Sequence, residues 1–88
     1  MENQNMQKEF VVKVYSTPSC PWCDVAKKFL SDHNINFETI DVSQSQELAI
    51  DLMNRTGSTG VPVIEINGEY ILGFDKMAIC QKLGISEA

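Results

Sequence analysis

The chain is 88 residues long, which is enough for one small domain built around a single core. Apolar residues at 43% and charged residues at 22% exclude the disordered, collagen-like and disulfide-scaffold classes. Twelve acidic against seven basic side chains give a net charge of -5, which opposes nucleic-acid backbones and anionic lipid as partners.

Residues 1–9 read as a disordered or loosely ordered arm ahead of a single domain spanning 1–88. Phe10 to Tyr15 is β-branched and aromatic with one lysine, so it predicts a strand covered on both faces, as in a parallel sheet. From Pro21 the period changes. Trp22, Val25, Ala26, Phe29 and Leu30 recur at three and four, predicting an amphipathic helix that ends near His33 with Asn34 as its left-handed stop. Asn36 to Val42 predicts a second strand. Ser43 with Gln46 three residues on matches a capping box, and the spacing of Leu48, Ala49, Leu52 and Met53 carries a second helix over about Gln44 to Thr56, up to Gly57. Val61 to Ile66 and Glu69 to Leu72, joined by Asn67-Gly68, predict a hairpin. Asp75 is placed to cap a last helix through Leu83, with Met77, Cys80 and Leu83 facing inward and Gly84 stopping it. The order β-α-β-α-β-β-α predicts a mixed four-stranded sheet, its first strands parallel, sandwiched between helices in three layers.

The opening stretch lacks the basic start and apolar run of a secretion signal, and no segment approaches the roughly 20 apolar residues of a membrane span. The protein is therefore expected in the cytoplasm, with no nucleic acid or membrane partner. Three cysteines are an odd number, and two of them lie three residues apart, so they do not form a framework that staples a secreted fold. In a reducing compartment that spacing means redox chemistry or metal.

Cys20-Pro21-Trp22-Cys23 falls where the first strand turns into the first helix. Proline is favoured as the first helical residue because its missing N–H would lie unpaired there, which places Cys20 at the cap with its sulfur toward free amides. Those amides and the helix dipole favour thiolate over thiol, and cysteines so placed titrate roughly one to several units below the free value of about 8.5. Cys20 is thus the predicted nucleophile. Cys23, one turn further along the same side, is the predicted resolving thiol. Lys27, a turn beyond, lends the thiolates modest support, and exposed Trp22 offers a contact surface for a partner.

The same spacing also serves zinc, which wants four ligands; the further candidates are Cys80 and the lone His33, and neither sits in a second paired spacing. A metal or iron–sulfur module, with a cluster shared across a dimer, stays open as another class. So does a redox-inert adaptor using Trp22 and Val61. Cys80 reads as a packing residue on an apolar helical stripe, and His33 as a surface residue suited to a helix end. Pro62 marks a strand start and, on base rates, a trans peptide bond. Gly73 leads into the last helix and leaves its first amides bare, where a carboxylate could dock.

At Val14 to Cys23, at Gly60-Val61-Pro62-Val63 and at Gly73-Phe74-Asp75 the chain resembles the glutaredoxin family, over residues 10 to about 84. The resemblance implies a thioredoxin-like fold and a dithiol-disulfide oxidoreductase acting on protein disulfides or glutathione mixed disulfides. It implies a cis Pro62 beside the cysteines, with the Val61 backbone free to pair with a thiol substrate in extended fashion. Thr17, Pro21, Trp22, Val61, Pro62, Gly73, Phe74 and Asp75 are the implied substrate-binding residues. No tightly bound cofactor and no metal are implied, glutathione serves as reductant or co-substrate, and the protein acts as a monomer. Thr17 stands where glutathione-using members often carry lysine, Gly60 where they often carry threonine, and Phe74 where they often carry a second glycine. The Gly-Phe turn is similar to that of the glutaredoxin-like electron donors of ribonucleotide reductase, which are reduced by thioredoxin reductase.

Overall fold

The computed structural model describes residues 10–58 and 60–85; the predicted N-terminal arm lies outside them. Strand β1 (Val12–Ser16) leads into helix α1 (Pro21–Asp32), strand β2 (Glu38–Asp41), helix α2 (Gln46–Thr56), strands β3 (Val63–Ile66) and β4 (Glu69–Leu72), and helix α3 (Lys76–Leu83). The sheet order is β2-β1-β3-β4. β1 pairs with β2 in parallel and with β3 antiparallel, and β3 with β4 antiparallel, so β1 and β3 form the covered centre. The hairpin turns at Asn67 and Gly68, both at positive φ (50° and 88°), as the Asn-Gly pair requires.

Alternate residues of the central strands point to opposite faces, and each face has its own apolar cluster. Val12 and Val14 of β1 and Ile64 and Ile66 of β3 pack with Ala26 and Leu30 of α1 and with Ile79 and Leu83 of α3. On the opposite face Tyr15 and Val63 pack with Val42 and with Leu52 of α2. Two helices on one side and one on the other make the three-layer sandwich expected from the element order. Full burial of an aliphatic side chain contributes roughly 1.5–3 kcal/mol, so the few fully covered residues of the central strands account for much of what holds so small a domain together.

Three expectations are corrected. Val42 leaves the second strand and enters a short 3-10 turn, Val42–Gln44, capped by Asp41, which accepts from the Ser43 N–H at 2.9 Å. Because that turn occupies the positions assigned to a capping box, α2 begins later, and Ser45 rather than Ser43 caps it, its Oγ accepting from the Leu48 N–H at 3.3 Å. Of the apolar residues spaced along α2 only Leu52 is buried, since a single helix over this face touches the sheet along a narrow line. In α3 the inward stripe is Ile79 with Leu83, whereas Met77 is 74% exposed and Cys80 half-buried; two turns of helix leave room for just two residues against the core.

Candidate active site

β1 ends in a turn through Pro18 and Ser19 that delivers Cys20 to the start of α1. Cys20 is the N-cap, in extended backbone geometry, with Pro21 as the first helical residue. Its Sγ accepts the Cys23 backbone N–H at 3.2 Å, so the sulfur takes the place that a serine or aspartate oxygen occupies in an ordinary cap. The side chains of Cys20 and Cys23 are joined as a disulfide across Cα atoms 5.2 Å apart. Cys20 stays partly exposed while Cys23 is completely buried. The leading sulfur can therefore be reached from solvent, and its neighbour can be reached through it.

Trp22 lies between the two and is 60% exposed, its ring stacked on Phe74 at 6.2 Å and 24°. Phe74 also meets Phe29 edge-on at 5.6 Å. A groove of about 240 Å³ opens at Trp22, lined by Trp22, Val61, Pro62, Gly73 and Phe74. These five come from three separate parts of the chain. The Val61–Pro62 peptide is cis, as the resemblance implies and against the trans bond favoured by base rates. Gly73, at φ 77°, donates its N–H to the Pro62 carbonyl at 2.9 Å and so ties the end of β4 to the proline loop.

Thr17, Pro21 and Asp75 are not among the residues that line the groove. Thr17 is half-buried just beyond β1 and Pro21 is exposed in the first turn of α1. Asp75 is the N-cap of α3 and accepts from the Ala78 N–H at 3.2 Å. Of the amides at the start of α3 that the sequence leaves bare, that of Ala78 is thus already paired; the Gly73 N–H, ahead of the helix, is taken by Pro62. Lys27 sits with its ammonium 3.7 Å from Asp24, and its charge helps hold the Asp41 carboxyl below the usual carboxylate range, an effect due first to the Ser43 hydroxyl bonded there. On the first helix Val25 proves exposed, because the sheet covers only the Cys23, Ala26 and Leu30 side and leaves the Trp22–Val25 flank to Phe74. His33 is the C-cap of α1, half-buried, with Nδ1 2.9 Å from the Phe29 carbonyl oxygen. Among the described residues no group of three or more His, Cys, Asp or Glu is arranged to hold a metal, and no helix is long and apolar enough to cross a membrane. What the sequence reading missed is Phe29, whose meeting with Phe74 joins α1 to the loop before α3; contacts between distant segments leave no local signal.

The glutaredoxin family model matches residues 12–71, the stretch from β1 through the cysteine pair to the hairpin. The chain belongs to the glutaredoxin family. It is 39% identical over 69 residues, 78% of its length and 92% of the other, to an uncharacterized glutaredoxin-like 8.6 kDa protein in the rubredoxin operon of Clostridium pasteurianum. It is 30% identical to glutaredoxin 3 of Escherichia coli over 66 residues, covering 75% of this chain and 80% of that one. The crystal structure of a buckwheat glutaredoxin–glutathione complex superimposes with a TM-score of 0.73 at 25% identity, over 93% of this chain and 77% of the other. As a glutaredoxin with a Cys20–Cys23 pair, the protein is a thiol-disulfide oxidoreductase of thioredoxin-like fold.

Proposed function

We propose that this glutaredoxin reduces protein disulfides and glutathione mixed disulfides by a dithiol cycle in which Cys20 attacks and Cys23 resolves. The observation that carries the reading is the asymmetry of the pair: Cys20 is a partly exposed helix cap whose Sγ accepts a backbone N–H, and Cys23 is fully buried one turn on. The Cys20 thiolate attacks one sulfur of the substrate disulfide. That S–S bond breaks, a mixed disulfide forms, and the departing sulfur leaves as a thiolate that takes a proton from water. Cys23 then gives up its proton and attacks Cys20 Sγ, expelling the second substrate thiol and closing the Cys20–Cys23 disulfide. Two electrons pass to the substrate, and two glutathione thiols, themselves oxidised to a disulfide, restore the pair.

The Val61 backbone before the cis proline and the groove walls of Trp22 and Phe74 receive the substrate on either side of its cysteine. Glutathione as reductant is supported by family membership and by the buckwheat glutaredoxin–glutathione complex. A second reading, an electron donor to ribonucleotide reductase recycled by thioredoxin reductase, is favoured by one observation. The Gly73 and Ala78 amides are occupied and the Phe74 ring stands in the turn, which leaves fewer donors for a glutathione carboxylate. The protein would work in the cytoplasm as a monomer.

Cys20→Ser is expected to abolish reduction of every disulfide, and Cys23→Ser to retain turnover only of glutathionylated substrates, by monothiol exchange. Equal activity in the two variants would overturn the assignment. Reduction of the oxidised protein by glutathione, compared with reduction by NADPH and thioredoxin reductase, then decides between the two electron sources.

A further inference from the structure

A second groove abuts the first and shares the Phe74 ring as its wall. It measures about 270 Å³ and lies between the outer flank of α1 and the start of α3, lined by Val25, Lys28, Phe29, Asp32, Phe74 and Lys76. Its lining is largely apolar, with Val25 42% exposed and the faces of Phe29 and Phe74 turned edge to ring. The charges around it are satisfied locally: Lys28 pairs with Asp32 at 3.3 Å, and the Lys76 ammonium lies 5.9 Å above the Phe29 ring centroid. The groove therefore selects by shape and apolarity rather than by charge.

We propose that this groove is a docking subsite for the polypeptide whose disulfide Cys20 attacks, and that it takes a large apolar side chain, such as leucine or phenylalanine, a few residues from the reactive cysteine. The inference rests on the dithiol mechanism above and names the substrate class that mechanism favours. Continuity decides the occupant. The Trp22–Phe74 and Phe74–Phe29 ring contacts of 6.2 and 5.6 Å trace an unbroken aromatic wall from Trp22, the residue before Cys23, into the groove. From the Trp22 ring to the Phe29 ring that path is at most about 12 Å, or three to four residues of extended chain at about 3.3 Å each. Glutathione has a single residue on either side of its cysteine, fewer than the three to four that this path spans. A protein substrate does not, so the subsite gives protein disulfides an advantage that a free tripeptide lacks.

The test uses glutathionylated peptides with one cysteine and phenylalanine or glycine placed three and four residues before it or after it. The glutathione–cysteamine disulfide serves as the short reference. With the intact protein, phenylalanine on one side of the cysteine is expected to raise kcat/KM by about tenfold over glycine, in line with partial burial of a large apolar side chain. Val25→Glu is expected to bring that ratio to about one, and the milder Val25→Ser to lower it, while both turn over the short reference at the original rate. A ratio near one in the intact protein on both sides, or a tenfold ratio that persists in Val25→Glu, would overturn the subsite. Failure to reduce even the short reference would instead bring down the Cys20 mechanism, and the subsite with it.

Discussion

The two cysteines of the active site are the same residue type in the same turn, and their environments separate their roles. Cys20 stands partly exposed at the helix cap, where its sulfur accepts a backbone N–H; Cys23, one turn in, has none of its surface exposed. A soluble electrophile needs access as well as a thiolate, so the reduced protein should react at Cys20 long before Cys23. Limiting iodoacetamide added to the reduced protein, followed by peptide mass mapping, is expected to place nearly all early modification on Cys20. Early labelling of Cys23 at a comparable rate would mean that the pair opens to solvent on reduction, and the ordered attack and resolution would lose its structural basis. Trp22 illustrates the opposite economy, because a large aromatic side chain left 60% exposed beside a reactive sulfur contributes nothing to the core and is held by Phe74 instead.

At the scale of elements, what could be read in advance is what rests on local chemistry. Pro21 starts α1, Asn67-Gly68 turns the hairpin, Asp75 caps α3, and Gly57 and Gly84 end their helices in left-handed geometry, each as its residue type requires. Asn34 stops α1 at φ 60° for the same reason. The start of α2 escaped because Asp41, Ser43 and Ser45 are all competent caps, and only the 3-10 turn packed at Val42 decides among them. The inward face of α3 escaped because eight residues give too short a period to tell Met77 from Ile79. The sulfur pair and the proline opposite were legible, but the aromatic wall through Phe29 depends on which segments the sheet brings together. Because α3 is so short, its cap weighs heavily. Asp75→Ala removes the acceptor of the Ala78 N–H and is expected to cost about 1 kcal/mol, read as a lower urea midpoint with an unchanged slope, whereas Asp75→Asn should cost little. A loss in Asp75→Asn as large as in Asp75→Ala would show that the carboxylate charge, and not the cap, is what matters at this position.

Over the whole molecule, the two faces of the sheet are closed differently. The α1–α3 face is sealed by aliphatic packing with phenylalanines at its margin, while the α2 face carries a polar margin that ties three strands and a helix together. There the Tyr15 hydroxyl of β1 donates to Glu65 Oε1 of β3 at 2.7 Å, and Arg55 of α2 donates to the Tyr70 hydroxyl of β4 at 3.1 Å while pairing with Asp51 at 3.1 Å. Burial above all, and then the hydrogen bond to Glu65 and the nearby carboxylate charge, push the Tyr15 phenol well above its ordinary value of 10.0. An acid whose folded value is raised binds its proton more tightly in the native state, so its contribution to stability is complete below the unfolded value and is lost as pH rises through the folded one. Stability is therefore expected to hold across neutral pH and to fall above about pH 10, with Tyr15 adding at most about 1.4 kcal/mol per pH unit to the slope. Tyr15→Phe leaves Glu65 without its donor and should lower stability at neutral pH, but it should also remove that share of the alkaline slope. Urea melts of both proteins from pH ~7 to ~11 measure the difference, and parallel curves would show that ionisation of Tyr15 is not coupled to the closing of this face.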